Sequence, residues 1–214
     1  MTHSVNEPAL WPRRQARAAA TRAQILGAAT ELFVADGYTA TTMPAIAAAA
    51  GVSRATVFNS VGSKAVVLKA SYDVAVVGDS APVPIFQRPE MTAMFAEPDP
   101  RRTLQLYAEI IAGIGERISG LYEVFRAAAG ADPQIAVLWD QIQAERLVGA
   151  THFVSMLAAK SPLRPALRHS AAADIIWVHI DNGIYHRFVR ERGWSRDQFT
   201  AWFADTLSAQ LFGH

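Results

Sequence analysis

The chain has 214 residues, 51% of them hydrophobic, enough for one mid-sized domain or two small ones with a packed core. It contains no cysteine, which excludes a disulfide framework and thiolate metal sites. The net charge is only +1, yet between Arg13 and Lys69 seven basic residues face just Glu31 and Asp36, a local +5 that suits a polyanion. No apolar run is long enough to span a bilayer, and Arg13, Arg14 and Arg17 stand where a signal peptide would carry its apolar segment. The expectation is a soluble, cytoplasmic protein with no membrane partner.

Apolar residues recur at spacings of three and four rather than two, so the chain reads as all-α, with about nine helices. The first runs from about Thr21, or some residues earlier, to Ala35. Thr21 and Gln24 have capping-box spacing, Ile25, Leu26, Ala29, Leu32 and Phe33 form the buried stripe, and Gly37 supplies the stop. Thr42 then caps a short helix with Pro44 in its first turn and Ile46, Ala47 and Ala50 facing inward. After Gly51, Ser53 caps a third helix, Arg54 to Ser60, which ends at Gly62. Ser63 opens a fourth helix that reaches Gly78. Prolines at 82, 84, 89, 98 and 100 exclude a long helix between Asp79 and Pro100, and the domain boundary falls there, giving domains 1–80 and 81–214. A short helix around Glu90 to Ala96 interrupts this connection. Beyond it the pattern predicts helices over Arg101–Ile118, Leu121–Ala129 and Asp132–Ala159, a break at Lys160–Pro165, and two closing helices.

In the segment Ala171 to Arg192, apolar residues are spread around the whole circumference, which implies burial on all sides. The last helix opens with a Ser195–Gln198 capping box and projects Phe199, Trp202, Phe203, Leu207 and Leu211 from one face. More apolar surface than one small core can cover predicts a homodimer through these last two helices.

The second and third helices, joined by Gly51-Val52-Ser53, have the dimensions of a helix-turn-helix, whose second helix lays side chains on base edges in the major groove. That role requires a helix that buries little. Arg54, Thr56, Asn59 and Ser60 can hydrogen-bond bases or phosphates, Ala55 allows close approach, and Val57 and Val61 hold the helix on its support. Lys64 stands at the first turn of the fourth helix, where an ammonium and backbone N–H groups suit a phosphate.

Residues 21–69, "TRAQILGAATELFVADGYTATTMPAIAAAAGVSRATVFNSVGSKAVVLK", resemble the N-terminal domain of TetR-family transcriptional regulators without a gap. The features that carry the likeness are Ile25, Ala28, Ala29, Leu32 and Phe33, then Gly37-Tyr38, Thr41-Thr42, Ile46-Ala47, Ala50-Gly51-Val52-Ser53, Phe58, Ser63-Lys64 and Leu68. The closing "ERGWSRDQFTAWFADTLSAQLF" looks like the final helix of one branch of the family. The resemblance implies a three-helix DNA-binding domain followed by a helical ligand-binding and dimerisation domain. It implies a dimer that binds a palindromic double-stranded DNA operator, usually as a repressor, and is released by a small, mainly hydrophobic effector. The family's DNA contacts map onto Thr42, Arg54, Thr56, Phe58, Asn59, Ser60 and Lys64, with Arg13, Arg14 and Arg17 as an arm. Where the family usually has Tyr-x-His-Phe, this chain reads Phe58-Asn59-Ser60-Val61, and Ala65 replaces the acidic residue common after Ser-Lys. Those departures keep open an alternative, a helical small-molecule-binding or interaction protein with weakened DNA binding.

The effector should lie among aromatics and a few polar groups after Pro100: Tyr107, Ile111, Tyr122, Phe125, Trp139, Gln143, Phe153, Trp177, Asp181 and Tyr185. Trp177, Asp181 and Tyr185 recur at i, i+4 and i+8 on one helix face, and a buried carboxylate among aromatics suits a hydrophobic molecule, cationic ones included. The other reading of these residues is an ordinary core with a paired carboxylate. His179 and His186 are two turns apart, roughly 10 Å, too far for joint ligation of a metal. No clustered Ser/His/Asp, phosphate loop or HExxH pattern occurs, so no enzyme, metal or cofactor is expected.

Overall fold

The computed structural model describes residues 10–79, 81 and 83–212, with side chains from Arg14 onward. Ten α-helices and no strand occur among these residues. They are α1 (Leu10–Ala40), α2 (Met43–Ala49), α3 (Arg54–Ser60), α4 (Lys64–Val77), α5 (Pro89–Ala96), α6 (Pro100–Ala129), α7 (Pro133–Lys160), α8 (His169–His179), α9 (Asn182–Tyr185) and α10 (Arg196–Phe212). The chain divides into two compact units between Val74 and Ala75, inside α4.

In the first unit α1, α2 and α3 pack on one another. Ile25, Leu26, Ala29 and Phe33 of α1 meet the buried Ile46, Ala47, Ala50 and Val57 of the next two helices, with Val67, Leu68 and Tyr72 of α4 completing the core. The local signals act as their chemistry dictates. The Thr42 hydroxyl accepts from the Ala45 N–H and the Ser53 hydroxyl from the Thr56 N–H, each satisfying one orphan donor of its helix. Gly37 leaves helical geometry at φ 78°, ψ 172°, a conformation that carries little cost only for glycine.

Thr21 does not open α1. The helix starts at Leu10, and Thr21 lies inside it with its hydroxyl donated to the Arg17 carbonyl. Residues 14–20 are exposed along their whole length, so no tertiary packing holds this stretch of about two turns; four of the seven are alanine and two arginine, both strong helix formers. Arg14 and Arg17 therefore ride on a helix rather than an extended arm, and the Arg13 side chain lies outside the described residues.

In the second unit α6 runs unbroken where the sequence suggests two helices. Ile118, Leu121, Tyr122 and Phe125 continue one buried stripe in phase through Ser119-Gly120, so packing overrides the weak helix former. Asp99 and Asp132 cap α6 and α7, and Ser195 and Gln198 form the reciprocal capping box of α10. The core joins Leu104, Tyr107 and Ala112 of α6 to Phe153 and Leu157 of α7, Ile176 of α8, and Phe199, Phe203, Leu207 and Leu211 of α10. Lys160 reaches across to donate to the carbonyls of Met94, Phe95 and Glu97, closing the C-terminal end of α5. Burial pushes its ammonium below the usual lysine range.

The segment from Ala171 to Arg192 is not one helix. Asp181 adopts an extended conformation and accepts from the Gly183 N–H, so it ends α8 and caps the short α9, and residues His186–Glu191 follow as a π-helical stretch. Asp, Asn and Gly in succession disfavour a helix interior, and aspartate favours an N-cap. The apolar face of α10 is also used within its own unit, since Phe199, Phe203, Leu207 and Leu211 are fully buried. Large apolar residues left exposed in these helices are instead Val137, Leu147 and Val148 of α7 and Val178 of α8.

A close approach fixes α9 against α6: a Cβ added at Gly115 would stand 2.5 Å from the Tyr185 ring, whereas one at Gly149 of α7 would meet nothing within 4 Å. Gly115→Ala should therefore destabilise the protein by about 1–3 kcal/mol, and Gly149→Ala should stabilise it by about 0.5–1 kcal/mol, both read from denaturant unfolding. A second expectation concerns acid. Asp79 receives two hydrogen bonds from the Arg88 guanidinium, which holds its carboxyl at about 2, below the ordinary 3.8. Because the folded value is the lower one, the stabilisation is complete above the ordinary value and is lost as pH falls through about 2. Asp79→Asn should flatten the acid limb of a stability–pH profile in that window, and an unchanged limb would show the pair to be screened out.

Candidate nucleic-acid interface

The third helix is seven residues long and buries one of them, Val57. Arg54, Ala55, Phe58 and Asn59 are exposed and, at i, i+1, i+4 and i+5, share one face. Phe58 is 62% exposed, a large apolar ring held in water on a helix the sequence leaves polar. Thr56 and Ser60 are half-buried. The Thr56 hydroxyl is within 2.8 Å of the Ser53 hydroxyl, so it serves the cap as well as the surface. Thr42 is exposed at the start of α2, and Arg17 is exposed on α1.

Lys64 is more tightly engaged than its position in the sequence suggests. Its Nζ donates to the Tyr38 carbonyl at 2.8 Å and the Thr41 carbonyl at 3.1 Å, and lies 4.1 Å from the centre of the Tyr38 ring. The ammonium thus fastens the start of α4 to the junction of α1 and α2. Arg22, read from the sequence only as one of the local positive charges, also has a positioning role. Its Nη1 donates to the Ser60 carbonyl at 3.0 Å, clamping the end of α3 to α1. A partner 38 residues away leaves no trace in local pattern.

The ten residues expected around an effector separate into two groups. Tyr107, Ile111, Phe153 and Tyr185 belong to the main core of the second unit, with the Tyr107 and Phe153 rings stacked 3.7 Å apart and Tyr185 edge-on to Phe199 at 5.0 Å. Burial raises the Tyr107 phenol above its ordinary range. The others meet around Asp181. The Tyr122 hydroxyl donates to its carboxylate at 2.8 Å, Arg146 Nη1 approaches at 3.1 Å, and Arg146 Nη2 donates to the Trp177 carbonyl at 2.7 Å. Trp177 Nε1 in turn donates to the Gln143 carbonyl, the Arg146 guanidinium lies 5.3 Å from the Trp177 ring centre, and Trp139 packs against Tyr122 and Phe125. The carboxylate is therefore neutralised by a cation of the same chain, which removes the reason to expect a cationic effector. Arg146 escaped the sequence reading because an arginine on an otherwise polar helical stretch resembles a solvated surface residue.

Residues 25–70 match the family model for bacterial regulatory proteins of the tetR family. The helix-turn-helix of the N-terminal unit therefore resembles that of the TetR family. The whole chain has the fold of TetR-family transcriptional regulators. It is similar to a protein of Rhodococcus sp. described as such a regulator (13% identity, TM-score 0.70, covering 89% of this chain and 98% of that one). It is also similar to FadR of Bacillus subtilis, solved in complex with stearoyl-CoA (16%, TM-score 0.67, 89% and 98%). A further likeness is to NalD of Pseudomonas aeruginosa, the secondary repressor of the MexAB-OprM multidrug efflux pump (19%, TM-score 0.64, 90% and 97%). A search of curated protein sequences found no significant match. Among the described residues no helix is long and apolar enough to cross a membrane.

In the N-terminal unit the orientation of α3 rests on one buried side chain, Val57, and on the Arg22 clamp. Arg22→Ala leaves the half-buried Ser60 carbonyl without its charged donor and should cost about 1–3 kcal/mol of stability. Arg22→Lys, which keeps the charge but not the fork, should recover part of it, as measured by chemical denaturation.

Proposed function

We propose that this protein is a dimeric transcriptional repressor of the cytoplasm that binds a palindromic operator and is released by a small, mainly hydrophobic effector. One observation carries the DNA-binding part: α3 buries a single residue and offers Arg54, Ala55, Phe58 and Asn59 to solvent on one face. A helix that contributes so little to its own core is explained by a partner outside the chain. Arg54 and Asn59 are the base readers, Phe58 and Ala55 make apolar contact with thymine methyls or sugars, and Thr42, Thr56, Ser60 and Arg17 hold phosphates. The Lys64 ammonium spends two donors on carbonyls, so its share in DNA binding is chiefly to position the neighbouring helix ends.

Two-fold operator symmetry requires two copies of α3. The exposed Val137, Leu147, Val148 and Val178 support pairing on the α7–α8 face rather than on the buried stripe of α10. The second unit supplies the effector domain, a reading supported by the aromatic and polar cluster around Asp181. The stearoyl-CoA bound to FadR and the efflux-pump repression by NalD show that proteins of this fold serve as ligand-bound and repressing regulators.

The test is retention of intergenic DNA from the protein's own locus in a gel-shift titration. Affinity should fall steeply with salt, as expected for a protein that neutralises several phosphates. Asn59→Ala should lose about 1–3 kcal/mol of discrimination at one base pair. Lys64→Ala should weaken binding to all sequences alike and lower thermal stability as well. No retention at low salt by a folded dimer would favour the alternative, a helical binding protein whose DNA contacts have weakened.

A further inference from the structure

The cluster around Asp181 leaves two hydrogen-bond donor groups unused. Arg146 Nε and Gln143 Nε2 are both shielded from solvent and meet no acceptor. The orientation of Gln143 follows from chemistry: Arg146 Nη1 donates to its Oε1, a guanidinium cannot accept, and the amide NH2 must therefore face away from Arg146. The Arg146 side chain is 10% exposed and Asp181 32%, so the cluster is sheltered yet reaches the surface at its carboxylate end. Buried donors of this kind are nearly always paired in native proteins, and an unpaired one marks a place for an acceptor. Charge decides which acceptor. The Arg146 cation is already matched by Asp181, and the nearby Arg126 cation by Glu123, so an anion brought here would stand beside an existing carboxylate without a free cation to offset it. Trp139, Trp177 and Tyr122 supply ring faces around the polar groups. The neighbouring π-helical stretch at His186–Glu191 is of a type often found at functional sites.

We infer that Gln143, oriented by Arg146, forms the polar end of the effector site and donates its free amide N–H to a neutral carbonyl oxygen on a flat, otherwise apolar ligand. This rests on the reading of the second unit as an effector domain. It assigns that site a chemical class and excludes the cationic effectors that a lone carboxylate would have favoured.

Four probes of one shape test it by titration calorimetry on the full chain: acetylnaphthalene, ethylnaphthalene, naphthoate and naphthylmethylamine. Acetylnaphthalene should bind at least about ten-fold tighter than each of the other three, because only it offers a neutral acceptor to the unpaired donors. Gln143→Glu keeps an oxygen facing Arg146 but replaces the free donor by an acceptor, and should abolish the preference for the ketone over ethylnaphthalene. Gln143→Leu, which retains bulk without polarity, guards against a folding defect and should give the same result. Tightest binding of naphthoate or the amine, equal binding of the ketone and the hydrocarbon, or an unchanged preference in both variants would overturn the inference. So would a crystal structure in which ordered water alone satisfies both donors in the presence of acetylnaphthalene. Failure of all four probes to bind a chain that still retains operator DNA would overturn this inference and leave the DNA-binding reading intact. Ketone selectivity in a chain that retains no DNA would do the reverse.

Discussion

The Lys64 ammonium fixes the helix ends of the N-terminal unit, whose apolar core brings them near one another without setting where each begins. When α1 leaves helical geometry at Gly37, the carbonyls at its end lose their intrahelical donors. Thr41 returns its hydroxyl to the Leu32 and Gly37 carbonyls, and Lys64 arrives from the far side of the helix-turn-helix to take those of Tyr38 and Thr41. One cation thereby fixes where α1 ends, where α2 begins and where α4 starts. Between those fixed points α3 is held by Val57 and by the Arg22 contact to Ser60, which leaves the rest of its surface free. The polarity of α3 is affordable because its position is enforced by residues outside it.

A similar economy governs the second unit, with the opposite purpose. Asp181 ends α8, caps α9, and binds the Tyr122 hydroxyl and the Arg146 guanidinium at once. Paired, the carboxylate lets a polar cluster persist among aromatic rings. In both units long-range polar contacts to main-chain or carboxylate oxygens, set within an ordinary apolar core, fix where helices begin and end.

Much of this architecture was legible in the residues alone. The caps at Thr42 and Ser53 and the Ser195–Gln198 box act within three residues, so their consequences do not depend on the rest of the chain. The stripes Ile25–Phe33 and Phe199–Leu211 announced which faces are buried, and the spacing of α2, the turn and α3 announced a helix-turn-helix. Reading broke down where a local preference met a competing one. Thr21 looked like a cap but sits within an alanine-rich helix that needs none there; Ser119-Gly120 looked like a break but lies within a stripe whose burial outweighs it. Asp181 looked like one more position on a helix face, and instead became a cap that interrupts it.

The sequence by itself determined the helical class, the order of the elements, the short polar helix and its cap, because these follow from interactions between residues a few positions apart. Which charges are solvated and which are structural was decided only by the tertiary structure. Arg22, Lys64 and Arg146 are indistinguishable from surface cations along the chain, and the main-chain carbonyls they reach lie 23 to 38 residues away. Nothing in a local window encodes that distance. Only the folded chain brings a desolvated oxygen within reach, and at close range in a water-poor setting the hydrogen bond is strong enough to hold a long side chain in one place.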